Sequence, residues 1–353
     1  MITSIKPNNF IYNYPKTLSF KGYNDETYNV KSKNKQDWLL HQTSFFRNIE
    51  TLEFTTNYIK ENFPNGTQIA DFGCSNGEEA YSLMMLLNDN NQEKKYKITG
   101  YDLSPKVIEK AKYGPFVIKY REPEGLINSE FEYKNSNKKH LRTLFFDCFE
   151  NIRGDFFHYR IKTGDEKIIK DKIAKEKDLK KLIQLKCFNQ IIHNRGDYKE
   201  GKAYLPKFEF INKSIEFKLG DINNLSKSVK ANGKTGVIIF KNAWYHISGS
   251  KKTYEIDQLN WQGVESAIKQ AHEVLPKGGL FVVGNLANDH LFENQHQRTI
   301  IQNGESIKVC DNTPFANSLK KQGFKPIFYE QILDQYENVD KTKPYLPSVW
   351  QKI

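Results

Sequence analysis

Cysteine is scarce in this 353-residue chain, and Cys74, Cys148, Cys187 and Cys310 lie too far apart for the paired spacing of a zinc site or a disulfide framework. No metal site is expected. Apolar runs are short as well, none approaching the roughly 20 residues needed to cross a bilayer. Residues 1–35 are polar with scattered aromatics and contain no apolar centre of a signal peptide. Membrane insertion is therefore not expected, and a cytoplasmic location is. The chain shows no internal repeat and no G-x-G-x-x-G dinucleotide fingerprint. Charge of one sign is in excess, with 53 Lys and Arg against 42 Asp and Glu. The length suits one elaborated catalytic domain, or a domain carrying an inserted module.

What is present is concentrated in residues 68–92. Ile69, Ala70 and Phe72 read as a buried strand, Gly73-Cys74-Ser75-Asn76-Gly77 as a tight turn, and Glu78 to Leu87 as an amphipathic helix. Gly73 and Gly77 mark backbone that comes close to something. A diphosphate at this turn would want backbone N–H groups and no carboxylate, because a helix N-terminus already carries partial positive charge. Glu78 and Glu79 stand there instead. A ligand bearing a cation fits better, and S-adenosylmethionine (SAM), with its ammonium and sulfonium, fits better than NAD or ATP. After a second apolar run, Ile98-Thr99-Gly100-Tyr101, Asp102 is placed to accept hydrogen bonds from ribose hydroxyls. A plain structural role competes with each: the glutamates favour the helix dipole, and Asp102 would cap the helix opening at Ser104-Pro105.

Further along, Tyr254 to Val274 reads as a helix, Leu280 to Val283 as a strand, and Asn303-Gly304 as the turn of a hairpin between 299–302 and 306–309. Thr313-Pro314 opens another helix ending near Gly323, and 324–329 supplies a last strand. The tail from Lys341 is expected to be extended and to pack back on the domain. This alternation predicts a Rossmann-like, doubly wound α/β sheet, with the ligand at the carboxyl ends of its strands.

Four blocks in order, Thr43-Ser44-Phe45-Phe46-Arg47, Gly73 to Ser82, Gly100-Tyr101-Asp102-Leu103-Ser104 and Ala111-Lys112-Tyr113-Gly114, resemble the CheR-type protein-glutamate methyltransferases of bacterial chemotaxis. Val237 to Ile247 is similar to the family's apolar strand ending in Arg-Asn, and Leu275 to Leu280 to a turn found widely among SAM-dependent methyltransferases. The likeness covers roughly residues 40–116 and 208–285. It implies SAM as cofactor, with Thr43 and Arg47 beside its methionine end and the reacting centre. It implies further that Gly73, Cys74 and Gly77 form the cradle, Glu78 partners the ammonium, Asp102 the ribose, and Asp221 and Ile222 the adenine. Asn242 would belong to the same cofactor site. A turn made by Asp221 with Asn223-Asn224 is the competing reading.

The chain departs from the family pattern where Lys241-Asn242 replaces Arg-Asn, with Tyr245 one place early and His246 where the family has Tyr. Arg47, Tyr245 and His246 are the catalytic candidates, His246 as hydrogen-bond partner or as a base with a pKa near neutrality. Asp71 restores an acidic residue common in SAM methyltransferases at large, and His41 stands where the family commonly has Asn. For Cys74 the expected role is that of a small residue in tight packing.

Residues 116–213 interrupt the pattern where the family carries a small antiparallel β module that helps recognise a substrate protein. They hold 22 Lys and Arg against 15 Asp and Glu, so +7 of the net +11 is local. The aromatic segments 145–149 and 155–159 and a charged helical stretch over 165–185 fall here. Such an insertion would grip nucleic acid, steer an acidic protein, or present only a solvated face. Nucleic-acid amino-group methylation lacks its Asn/Asp-Pro-Pro-Tyr/Phe motif. The expected organisation is an N-terminal extension (1–40), a first core part (41–115), the basic insertion (116–213), a second core part (214–335) and a tail (336–353). About 40 residues precede Thr43, fewer than the N-terminal helical domain of chemotaxis methyltransferases, which weighs against chemoreceptors as substrate. The expected function is methylation of a protein carboxylate. Methylation of nucleic acid or a small molecule, and a non-catalytic SAM- or partner-binding module, are the alternatives.

Overall fold

The computed structural model describes residues 45–87, 95–114, 116–119, 139–151, 175, 201–207, 214–229, 233–241, 244, 261–284, 297–331 and 344–353. The chain begins with helix α1 (Ile49–Asn62), then β1 (Gln68–Phe72), α2 (Glu78–Leu87), β2 (Lys97–Asp102) and α3 (Pro105–Tyr113). Next come β3 (Phe116–Lys119), α4 (Lys139–Cys148), β4 (Phe149–Asn151), β5 (Gly201–Pro206), β6 (Ile215–Leu219) and β7 (Thr235–Ile239). The last part comprises α5 (Trp261–Val274), β8 (Leu280–Val282), β9 (Arg298–Gln302), β10 (Glu305–Val309), α6 (Pro314–Lys321), β11 (Phe324–Glu330) and β12 (Leu346–Lys352).

Seven strands form the central sheet in the order β11-β12-β8-β7-β1-β2-β6. Neighbours from β8 to β6 run parallel, and only β12 runs against them, paired on both sides. Alternation along each strand separates two apolar layers, as the two-residue side-chain period requires. Ile69, Ile98, Phe217, Val237, Ile239 and Val282 face one layer with α1 and α2, whereas Ala70, Phe72, Ile238, Phe281 and Trp350 face the other with α5 and α6. Both faces being covered is what a parallel sheet needs. The expected doubly wound α/β fold is the observed one.

The expected hairpin also forms, Asn303 and Gly304 both taking positive φ (52° and 82°) between paired β9 and β10, as a two-residue turn matched to strand twist requires. One expectation changes. Residues 346–352 are extended and packed on the domain as anticipated, but as β12 they lie inside the sheet between β8 and β11, so 324–330 is not the last strand. Within 116–213 the described residues form a three-stranded antiparallel sheet, β3-β5-β4, with α4 beside it. The expected helical stretch over 165–185 and the aromatics at 155–159 lie outside the described residues. Among the described residues no helix is long and apolar enough to cross a membrane.

Candidate active site

The parallel strands β1, β2, β6, β7 and β8 end at one edge of the sheet, and the β1–α2 turn lies there. Gly73, Ser75 and Gly77 take positive φ (70°, 50° and 92°), a conformation costly for serine and therefore held from outside. Asp102, at the end of β2, supplies the hold. Its Oδ2 accepts from the Ser75 N–H at 3.0 Å and its Oδ1 from the Ser104 N–H at 2.9 Å, tying the turn to the start of α3. The Cys74 N–H donates to the Tyr101 carbonyl at 3.1 Å. Gly77 has a packing reason as well as a conformational one, because a Cβ there would meet the Phe217 ring at 2.8 Å. Cys74 is buried, and burial pushes its thiol well above the ordinary range. That disfavours a thiolate nucleophile and agrees with a packing role.

Acidic groups crowd this edge. Glu78 is buried at 9 % exposure in the first turn of α2. Asp71, on β1, is pushed well above the usual carboxylate range by burial and by Glu79, against the pull of Lys241. Lys241 follows β7, and its Nζ lies 3.0 Å from Glu79 Oε2 with the lysine side chain fully buried. At the end of β11, Glu330 is wholly buried, and burial lifts its carboxyl to about 7 even though Lys241 and, to a smaller extent, Arg47 pull it down.

Residues 45–48 reach this cluster just before α1. Phe45 and Phe46 are buried, Arg47 is half-buried, and Phe46 and Asn48 take positive φ (58° and 54°). Polar contacts to α2 and to Lys241 help fix the turn. The Phe46 N–H donates to Ser82 Oγ at 2.8 Å, and Lys241 Nζ donates to the Arg47 carbonyl at 3.4 Å. Ser82 in turn donates to the Glu78 carbonyl one helical turn back, at 2.7 Å.

The structure thus brings Arg47, Gly73, Cys74, Gly77, Glu78 and Asp102 to one edge. Asp221 follows β6, the neighbour of β2, and its Oδ1 accepts from Asn223 N–H at 2.9 Å and Asn223 Nδ2 at 3.1 Å. This is the turn anticipated as the competing reading, although one carboxylate has acceptor capacity beyond it. Burial raises the Asp221 carboxyl while those hydrogen bonds partly offset the shift. Ile222 is packed in the layer that holds Phe72 and Tyr101. Thr43, Asn242, Tyr245 and His246, with His41, lie outside the described residues.

The arrangement suits a cationic ligand bearing a ribose: the first turn of α2 presents Glu78 and Glu79, and Asp102 stands at the next strand end. Ser75 Oγ, buried in the turn, has no hydrogen-bond partner among the described residues, so a polar ligand atom there would satisfy it. Residues 41–138 match the model of the CheR methyltransferase SAM-binding domain. In that stretch the chain resembles a CheR-type SAM-binding domain. Two chemotaxis protein methyltransferases, from two strains of Campylobacter jejuni subsp. jejuni, are each 26% identical over 226 residues, which is 62% of this chain and 83% of theirs. A SAM-dependent methyltransferase from Methanosarcina mazei is 12% identical at a TM-score of 0.35, covering 85% of this chain and 97% of its own; that likeness is too low to bear on function. Over these residues the chain is accordingly similar to CheR-type SAM-dependent methyltransferases, and SAM is the cofactor that this likeness supports.

Two residues of this site, Glu330 and Ser82, escape sequence reasoning. Glu330 is contributed by a strand some 280 residues beyond Arg47 (330 against 47), and nothing local in 324–330 marks it. Ser82 leaves one faint signal, a serine inside an apolar helix that bonds back to its own backbone. Glu79 is visible as one of an acidic pair, but its partner Lys241 arrives from just beyond the end of β7.

Proposed function

We propose that this methyltransferase acts on a protein carboxylate, forming a methyl ester. The observation that carries the reading is the position of Arg47, half-buried on a turn pinned both to α2 and to Lys241, whose own ion-pair partner is Glu79 at the start of α2. A planar guanidinium there pairs with a carboxylate in a forked geometry. In this reading Glu78, Asp102 and Asp221 hold the ammonium, ribose and adenine ends of SAM, with Thr43 and Asn242 completing the site and Tyr245 and His246 next to the acceptor. Bound SAM supplies a methyl carbon already activated by the sulfonium. A carboxylate is ionised at neutral pH and requires no base, so the protein's contribution is alignment of the acceptor and exclusion of water. The basic insertion would steer an acidic protein surface towards the site.

Nucleic acid fits the described residues less well. Phe145 and Phe149 of the insertion are buried, so these rings do not offer faces on which bases could stack.

The test is the chemistry of the product. Purified protein is incubated with methyl-labelled SAM and fractionated acidic proteins, and the labelled acceptor is treated with mild base. Release of the label as volatile methanol is the expected result, since esters hydrolyse and N-methyl groups do not. Base-stable label, or label on nucleic acid or a small molecule, would overturn the carboxylate assignment. SAM binding with no transfer to any fraction would favour the non-catalytic module.

A further inference from the structure

Lys241 lies among charges contributed by separate elements: Glu79 from α2 at 3.0 Å, Asp71 from β1 and Glu330 from β11, with Arg47 also facing Glu330. Its stem passes over the end of β8, where a Cβ at Gly284 would sit 2.0 Å from Lys241 Cγ. Gly284 also takes φ 63°, so both backbone and space at this point are given over to the lysine. The ammonium reaches across to the Arg47 carbonyl at 3.4 Å. That carbonyl belongs to a turn with two left-handed non-glycine residues, Phe46 and Asn48, a conformation that persists only where the surroundings determine it.

We propose that Lys241 is a positioning residue, joining Glu79 on the cofactor-side helix to the Arg47 carbonyl and thereby holding the Phe45–Asn48 turn over the methyl-transfer site. Ser82 fixes the same turn from α2 through the Phe46 N–H, so Lys241 supplies a further anchor, on the opposite side of Arg47. Lysine suits the task because its compact ammonium has three donors that can be shared between a carboxylate and a carbonyl, whereas the fork of arginine is matched to one planar partner. The inference rests on Arg47 as the acceptor-binding group, but not on the identity of the acceptor.

Lys241→Met keeps the apolar stem and removes the donors. Amide hydrogen exchange of residues 45–52 is expected to speed up by about tenfold or more, with the amides of β1 and β7 unchanged. S-adenosylhomocysteine affinity by calorimetry should stay within about threefold of the parent, because Glu78 and Asp102 are untouched. Lys241→Arg, whose fork is not shared as readily between the two acceptors, should restore only part of the protection at 45–52, and Glu79→Gln combined with Lys241→Met should open that segment no further than Lys241→Met alone. With an acceptor found by the base-release assay, kcat should fall about tenfold at unchanged KM for SAM. Exchange at 45–52 that is unchanged, or that rises equally throughout the sheet, would overturn the proposal. Should Lys241→Met fail to fold, Lys241→Gln is read by the same criterion. The exchange measurement needs no acceptor, so a failure of the methyl-ester reading would be seen separately in the base-release assay.

Discussion

Glu330 is buried at the end of β11 with no well-formed hydrogen bond to either carboxyl oxygen, and its titration at about 7 is set chiefly by loss of water. Its folded-state pKa lies above that of an unfolded glutamate, so the native state holds this proton where the unfolded chain has released it. The stability associated with Glu330 is complete below the unfolded value and is lost as pH rises through about 7. Asp71, also raised by burial, adds to the loss with the same sign. Urea unfolding measured from pH 5 to pH 8 should therefore show stability falling, by on the order of 3 kcal/mol for Glu330. Glu330→Gln should flatten that fall, and a variant with the parent's pH dependence would remove Glu330 from this role. At this scale the sequence was partly legible. Gly77, Glu78 and Asp102 stand out because the turn chemistry is local. The tight fit of Gly77 to Phe217 is not visible, since Phe217 arrives 140 positions later (217 against 77).

The element with the least sequence signal is α4, whose aromatic residues fall in a basic insertion read as gripping nucleic acid, steering an acidic protein or presenting a solvated face. The structure buries Phe145 and Phe149 against Phe45, with ring centroids 5.0 and 5.1 Å away. Phe116 of β3 lies 5.3 Å from Phe45 and Tyr81 of α2 lies 5.4 Å from Phe149. Edge-to-face contacts of this kind add to the large apolar area such rings bury. The cluster therefore welds the inserted sheet to α2 and to the residue two places before Arg47. Phe149→Ala should cost about 3–5 kcal/mol in unfolding free energy. Because the ring touches both Phe45 and Tyr81, S-adenosylhomocysteine binding should weaken in the folded variant as well. A loss of less than about 1 kcal/mol would mean that the insertion is only loosely attached.

At the level of the whole molecule, β12 closes the sheet. Val349 and Trp350 are fully buried on its two faces, and the strand hydrogen-bonds to β8 on one side and β11 on the other. Deleting 344–353 should therefore abolish cooperative folding instead of trimming an end, because β11 would lose its partner and both apolar layers would open. Loss of the near-ultraviolet circular dichroism signal with gain of dye binding would show it, and a cooperative unfolding transition in the truncated chain would contradict it. The sequence by itself determined the alternation of strands and helices, the glycine turn with its acidic helix start, and the 303–304 hairpin. Each depends on residues within a few positions of one another, and so on local conformational preference and side-chain period. Only the tertiary structure decided that the final segment is an interior strand, that the insertion's aromatics are core, and that Lys241, Glu79, Asp71 and Glu330 share one buried site. Those outcomes depend on which surfaces exclude water together, and strands far apart in sequence meet only when the sheet is assembled.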